Sequence, residues 1–242
     1  MNVRSLTIAI AVCGSVVGAS GCSRADTQTV APMAVVPRDN EVIPVADRPP
    51  VALTQIGESA KWLFDAAEAA DWSAAADRLQ SINDSASQLP DDLPAGDLVA
   101  QFQSRVDSLR QDVPARDRIA TMEHANAITR LVAELSEQFQ TAVPLEAVLL
   151  GYHGRQLALG LAAGRSSTLI RATSDLQTAW NALQETVEMH GWTNEARRFT
   201  DIVVQLEGAT RPADFVAPVR AELTEADRIE KLFTSSGGSF NP

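Results

Sequence analysis

The chain has 242 residues, 31 acidic against 20 basic, a formal net charge of −11 and a sequence pI near 4.7. So acidic a surface is a poor partner for nucleic acid or for anionic lipid headgroups. Hydrophobic residues make up 45% and aromatics only 5%; with alanine prominent, this balance favours helices over sheets.

Residues 1–21 have the three parts of a secretory signal. Arg4 supplies the positive charge, Leu6 to Val17 an uncharged apolar run of twelve residues, and Gly18, Ala19, Ser20 and Gly21 the small residues that follow. A span needs about 20 apolar residues, so this run is too short to remain in the bilayer as a helix. Ala19-Ser20-Gly21-Cys22 resembles the lipobox of bacterial lipoproteins, with Ala19 where that box usually has leucine. The resemblance implies a diacylglyceryl thioether on Cys22, cleavage before it and acylation (typically palmitate) of the new amine. It also implies a membrane partner reached through lipid. Ser23, rather than an aspartate, implies the outer membrane, facing the periplasm. Cys13, the other cysteine, leaves with the signal, so the mature chain keeps neither a free thiol nor a disulfide.

Residues 22–50 hold the lipidated cysteine and Pro32, Pro37, Pro44, Pro49 and Pro50 among small and polar residues. Proline at this density opposes helix and favours solvated, extended chain, so a disordered tether is expected here.

From Pro50 onward the spacing predicts an all-α body of about eight helices. Leu53, Ile56, Ala60 and Leu63 mark the first, and Ala76, Leu79, Ile82 and Leu89 the second. The third, capped by Asp97, carries Phe102, Val106, Leu109 and Val113 and is stopped by Pro114. The fourth is expected over about Ala115 to Gln140. The pattern then restarts. Pro144 to Gly151 echoes Pro50 to Gly57, and at that shift Leu63 meets Leu157, Ser73 meets Ser167, Ile82 meets Leu176 and Leu89 meets Leu183. With small slips Phe102 meets Phe199 and Leu109 meets Leu206. A tandem duplication of a four-helix unit follows, with units at 51–143 and 144–234 and a loose tail at 235–242. Gly164-Arg165-Ser166 in the second copy says stop, cap and restart, so the first copy is expected to break at Asp71-Trp72-Ser73. The last helix runs from Pro212 through Phe215, Val219, Leu223, Ala226, Ile229 and Phe233. The helix at 144–163 is apolar around most of its circumference and should be buried where the two units meet.

Chemistry-bearing residues are sparse. His124, His153 and His190 are the only histidines. With neighbouring helices antiparallel, His124 and His190 would lie about 12 and 20 Å along the axis from the level of His153 at 1.5 Å per residue. No metal site, and no cofactor, is expected. There is no Gly-x-Ser-x-Gly elbow, no Gly-rich phosphate loop and no mature thiol, so no catalytic residue is expected either. Arg155, beside Tyr152 and His153 on the most apolar helix, is the polar feature that stands out. A buried arginine needs an acidic partner, so these three mark an ion-pair site first and a ligand site second. Gly151-Tyr152-His153-Gly154-Arg155-Gln156 also resembles the Gly-x-His-x-x-Glu motif of imelysin-like periplasmic proteins, which are duplicated helical bundles linked to metal uptake. That resemblance implies iron binding or uptake, and it departs at Gln156, a far poorer ligand than a carboxylate. The sequence thus reads as a non-enzymatic envelope module that binds a protein or small ligand.

Overall fold

The computed structural model describes residues 48–90, 93 and 96–236; the lipobox with Cys22, residues 22–47 of the expected tether and most of the tail lie outside them. Among the described residues the fold is all-α, with eight helices. They are α1 (Val51–Glu68), α2 (Trp72–Ala86), α3 (Gly96–Ala115), α4 (Arg118–Ser136), α5 (Leu145–Ala162), α6 (Ser166–Met189), α7 (Thr193–Gly208) and α8 (Pro212–Ser236). None is long and apolar enough to cross a membrane.

The helices repeat one pairing scheme. In the first four, α1 packs on α2 and α4, and α3 packs on α2 and α4. In the second four, α5 packs on α6 and α8, and α7 packs on α6 and α8. Three helices of the second half start 94 residues after their counterparts (145 against 51, 166 against 72, 212 against 118). The third pair is offset by 97 (193 against 96). The halves join through α4 against α5, and an ion pair from Lys61 on α1 to Glu230 on α8, at 2.6 Å, crosses the same seam. No residue of α5 is exposed, as its all-round apolar sequence requires. One buried apolar cluster runs through all eight helices.

The turns show why these sequences stop where they do. Gly164 adopts φ +64°, and its amide donates to the Leu161 carbonyl while Arg165 N–H reaches Gly160. This is a Schellman cap, which closes the last carbonyls of a helix with one left-handed residue. Ala70 repeats it 94 residues earlier: φ +57°, Ala70 N–H to Ala67 and Asp71 N–H to Ala66. Asp71 then caps α2 by accepting from Ala74 N–H at 3.1 Å, and Asp117 caps α4 through Ala120 N–H at 3.0 Å.

Some boundaries differ from the sequence reading. Pro114 does not stop α3 but lies in its last turn; the stop is Arg116 at φ +55°. The next helix therefore starts at Arg118, and α4 ends at Ser136 rather than near Gln140. Asp97 sits within the first turn of α3. On α8 the expected stripe of Phe215, Val219, Ala226, Ile229 and Phe233 is buried, but at one place Glu222 is fully buried where Leu223, only partly buried, was expected.

Ala70 holds a left-handed conformation that alanine's Cβ disfavours and glycine does not. Ala70→Gly is expected to stabilise the fold by about 0.5–1 kcal/mol, a rise of about 2 °C in thermal midpoint. An unchanged or lower midpoint by calorimetry would contradict the cap geometry.

Candidate functional site

Among the described residues, two places stand out for polar groups or space beyond what the core needs. The first surrounds α5. Arg155 is half-buried; its Nη1 donates to the Gly151 carbonyl at 3.1 Å, and its Nε is buried without a hydrogen-bond partner. Two carboxylates feel its charge, Asp65 on α1 and Glu222 on α8, but neither closes to salt-bridge distance. The expected ion pair is thus a longer-range attraction. Glu222 is fully buried, and neither carboxylate oxygen has a hydrogen-bond partner. Burial pushes its pKa well above the ordinary glutamate range, against a weaker opposing pull from Arg155. Glu225, three residues on, is also buried but accepts from Arg198 Nε at 3.1 Å and Nη2 at 2.9 Å.

Gly154 provides the seat for Glu222. A Cβ on Gly154 would overlap Glu222 Oε2 outright, stand 2.5 Å from its Cδ and 2.9 Å from Leu223 Cδ2. The equivalent residues of the first unit are Ala60 and Ile128, both fully buried. A methyl and an aliphatic chain there correspond to a bare backbone and a carboxyl here. Burial also raises Asp65, assisted by repulsion from Asp227, and raises Glu68 along with repulsion from Asp65.

Tyr152 and His153 stand beside this seat, half-buried and edge-to-face to each other at 5.0 Å. The Tyr152 carbonyl accepts from Asn126 Nδ2 at 3.0 Å, Gln156 Nε2 donates to Tyr152 Oη at 3.3 Å, and Arg130 lies over the Tyr152 ring. Burial lowers the pKa of His153, with Asp175 opposing and Arg130 assisting. The other histidines are held elsewhere. His124 Nδ1 is 2.6 Å from Asp112, while His190 Nδ1 is 2.8 Å from the Thr186 carbonyl and its ring stacks on Trp192. Among the described residues no group of three or more His, Cys, Asp or Glu side chains is placed to hold a metal ion.

The second place is a groove between α2 and α3, which sequence reasoning did not single out. Its larger part, about 640 Å³, is lined by Asn83, Ala86, Leu89, Phe102, Gln103 and Val106 among others. A smaller part, about 500 Å³, continues past Asn83 to Trp72 and Arg116. Neither part is lined by Tyr152, His153 or Arg155. The volume falls in the range of small-ligand sites. Comparison with protein-family models, with curated proteins and with solved structures finds no match to this chain.

The geometry separates the two places chemically. Glu222 is a carboxyl whose pKa burial raises well above the ordinary glutamate range, and it lines neither part of the groove. A general acid must come within hydrogen-bond reach of its substrate, and a fully buried group has no such approach. The groove has room and access, and its lining carries the Asn83 and Gln103 amides, the Ser87 hydroxyl, the Asp107–Arg110 ion pair and apolar walls.

Proposed function

We propose that this protein is a lipid-anchored bacterial envelope lipoprotein whose helical body is a non-enzymatic binding module. The observation that carries the binding role is the open α2–α3 groove, wide enough for a small ligand or a partner's side chains and set apart from the buried acid on α8. The anchor rests on Ala19-Ser20-Gly21-Cys22 after an apolar run too short to span. Two or more acyl chains hold a protein stably where one does not, so a triacylated Cys22 would keep the acidic body at the membrane without contact to its headgroups. Ser23 supports the outer membrane and its periplasmic face. The metal-uptake alternative, drawn from the imelysin-like hexapeptide, would have to recruit ligands to His153, whose charged neighbours are Asp175 and Arg130.

The anchoring test is Cys22→Ser in the native host, or in a bacterium that processes lipoproteins. Labelled palmitate incorporation is expected to vanish, and the chain to leave the membrane pellet. Retention in the pellet with labelling equal to the parent would sink the lipoprotein assignment.

A further inference from the structure

The two parts of the α2–α3 groove differ in what they leave uncovered. In the larger part the apolar floor is closed, with Phe102 and Val106 each 3% exposed. In the smaller part, about 500 Å³ beyond Asn83, the lining reaches the surface. Ser73, Ala76, Gln80 and Arg116 are exposed there, and Trp72 and Asn83 are half-buried. The apolar groups that line it include the Trp72 indole, the Ala76 methyl and the Pro114 ring. Its polar groups are two amides, a hydroxyl and one guanidinium. Gln80 Nε2 donates to Asp84 at 2.7 Å, which leaves the Gln80 carbonyl oxygen to accept. Asn83 Oδ1 accepts from Arg110 Nε at 3.0 Å, which leaves the Asn83 amino group to donate. Among the described residues no carboxylate lines this part, although the chain carries net −11. Two of these features are not demanded by the fold. At the shift of 94 the second unit has Ser166 for Trp72 and Ser174 for Gln80, and its helices pair in the same way. Arg116 stands at φ +55°, where glycine would be unstrained.

We propose that the smaller part of the groove binds a saccharide, through a pyranose ring laid on Trp72. A pyranose has an apolar face of C–H bonds, and the electron-rich face of an indole attracts their partial positive charge. Its edge is a ring of hydroxyls, each both donor and acceptor. These suit the Gln80 carbonyl, the Asn83 amino group, the Ser73 hydroxyl and the Arg116 guanidinium together. A hydrocarbon ligand would leave those polar groups unmatched. A polyanion would leave the indole unused and meet a chain of net −11. The proposal deepens the binding-module reading and rests on it for the groove, not for the anchor.

The test is calorimetric titration of the full-length protein, in a detergent without a sugar headgroup, with cellotetraose and with tetra-N-acetylchitotetraose. Saturation of one site is expected at about 0.1–1 mM, well inside the bound set by ligand size. Trp72→Ala should weaken binding at least about tenfold, as truncation of an aromatic anchor does. Trp72 also packs against the core, so Arg116→Gly supplies a second reading without that cost. It should raise the thermal midpoint by about 2 °C through relief of the left-handed backbone. It should nevertheless weaken the probe about threefold or more, through the lost guanidinium hydrogen bonds. Trp62→Ala is the control and should bind as its parent does, because Trp62 is 56% exposed on α1 and lines neither part of the groove. No saturable binding of either tetrasaccharide by about 10 mM, or parental affinity in both Trp72→Ala and Arg116→Gly, would overturn the site. Chromatography of the titrated probe keeps the two readings apart. A tetrasaccharide bound at Trp72 but cleaved would keep the site and strike the non-enzymatic module. A chain that takes up palmitate at Cys22 but neither tetrasaccharide loses the site and keeps the anchor.

Discussion

Alanine at position 154 is expected to lower the thermal midpoint by about 4–8 °C. Its methyl group would occupy the space now taken by the Glu222 carboxyl, which is fully buried and has no solvent to retreat into. Overpacking a close-packed core costs about 1–3 kcal/mol, and an outright overlap belongs at the upper end. Alanine's better helix propensity returns about 1 kcal/mol, leaving a net loss of about 2 kcal/mol. The first unit supplies the rescue. Ala60 and Ile128 take the equivalent places and are fully buried together, so Gly154→Ala with Glu222→Ile installs a pair the fold already accommodates. The double variant is expected to melt at or above the wild-type midpoint. Its stability should exceed the sum of the single effects, the signature of two residues in direct contact. Gly208→Ala is the control, because nothing lies within 4 Å of a Cβ there. A Gly154→Ala protein as stable as its parent, or a double variant weaker than Gly154→Ala alone, would show that Glu222 does not sit on Gly154.

The helices were legible because their ends are written in local chemistry. Asp71 and Asp117 accept the first free amides, while Gly164 and Gly191 take the left-handed conformation. Neither signal needs a distant partner to be seen. Where the left-handed residue is Ala70 or Arg116 the local signal fails. The copy with Gly164 still marked the break at Ala70, whereas no such help existed at Arg116, and α3 ran past Pro114. The burial of α5 was legible for the same reason, since apolar residues on every side leave a helix no face for water. The seat around Arg155 was only half legible. Its need for a carboxylate follows from burial alone, but Glu222 is supplied by a helix 67 residues further along, where a carboxylate on an amphipathic helix reads as solvated. Spacing held a clue: Val219, Glu222, Ala226 and Ile229 form one stripe, with the acid on it and Leu223 beside it. The groove was hardest, because open space between two helices leaves no residue in the sequence to notice.

Glu222→Gln should flatten the pH dependence of stability while leaving the fold intact. Burial holds the Glu222 carboxyl protonated in the native state far above its ordinary pKa of 4.5, which is recovered on unfolding. Above pH 4.5 the unfolded chain releases this proton while the folded chain retains it, so the folded state binds more protons and stability falls as pH rises. The loss continues until the folded pKa is passed. Below pH 4.5 both states are protonated and the contribution is fully present. Asp65 and Glu68, raised by burial in the same region, act in the same direction. His153 acts in the opposite one: its lowered pKa costs stability as pH falls below 6.5. Glutamine has nearly the same shape and cannot ionise, so subtracting its midpoint curve from the wild-type curve isolates Glu222 from the other three. The difference is expected to favour wild type increasingly as pH drops from 8 to 5. A flat difference would mean that the carboxyl titrates normally in the folded protein and that water or a cation reaches it. In that event the packing of α8 on α5 at Gly154 would have to be open rather than sealed, and Gly154→Ala would lose its predicted cost as well.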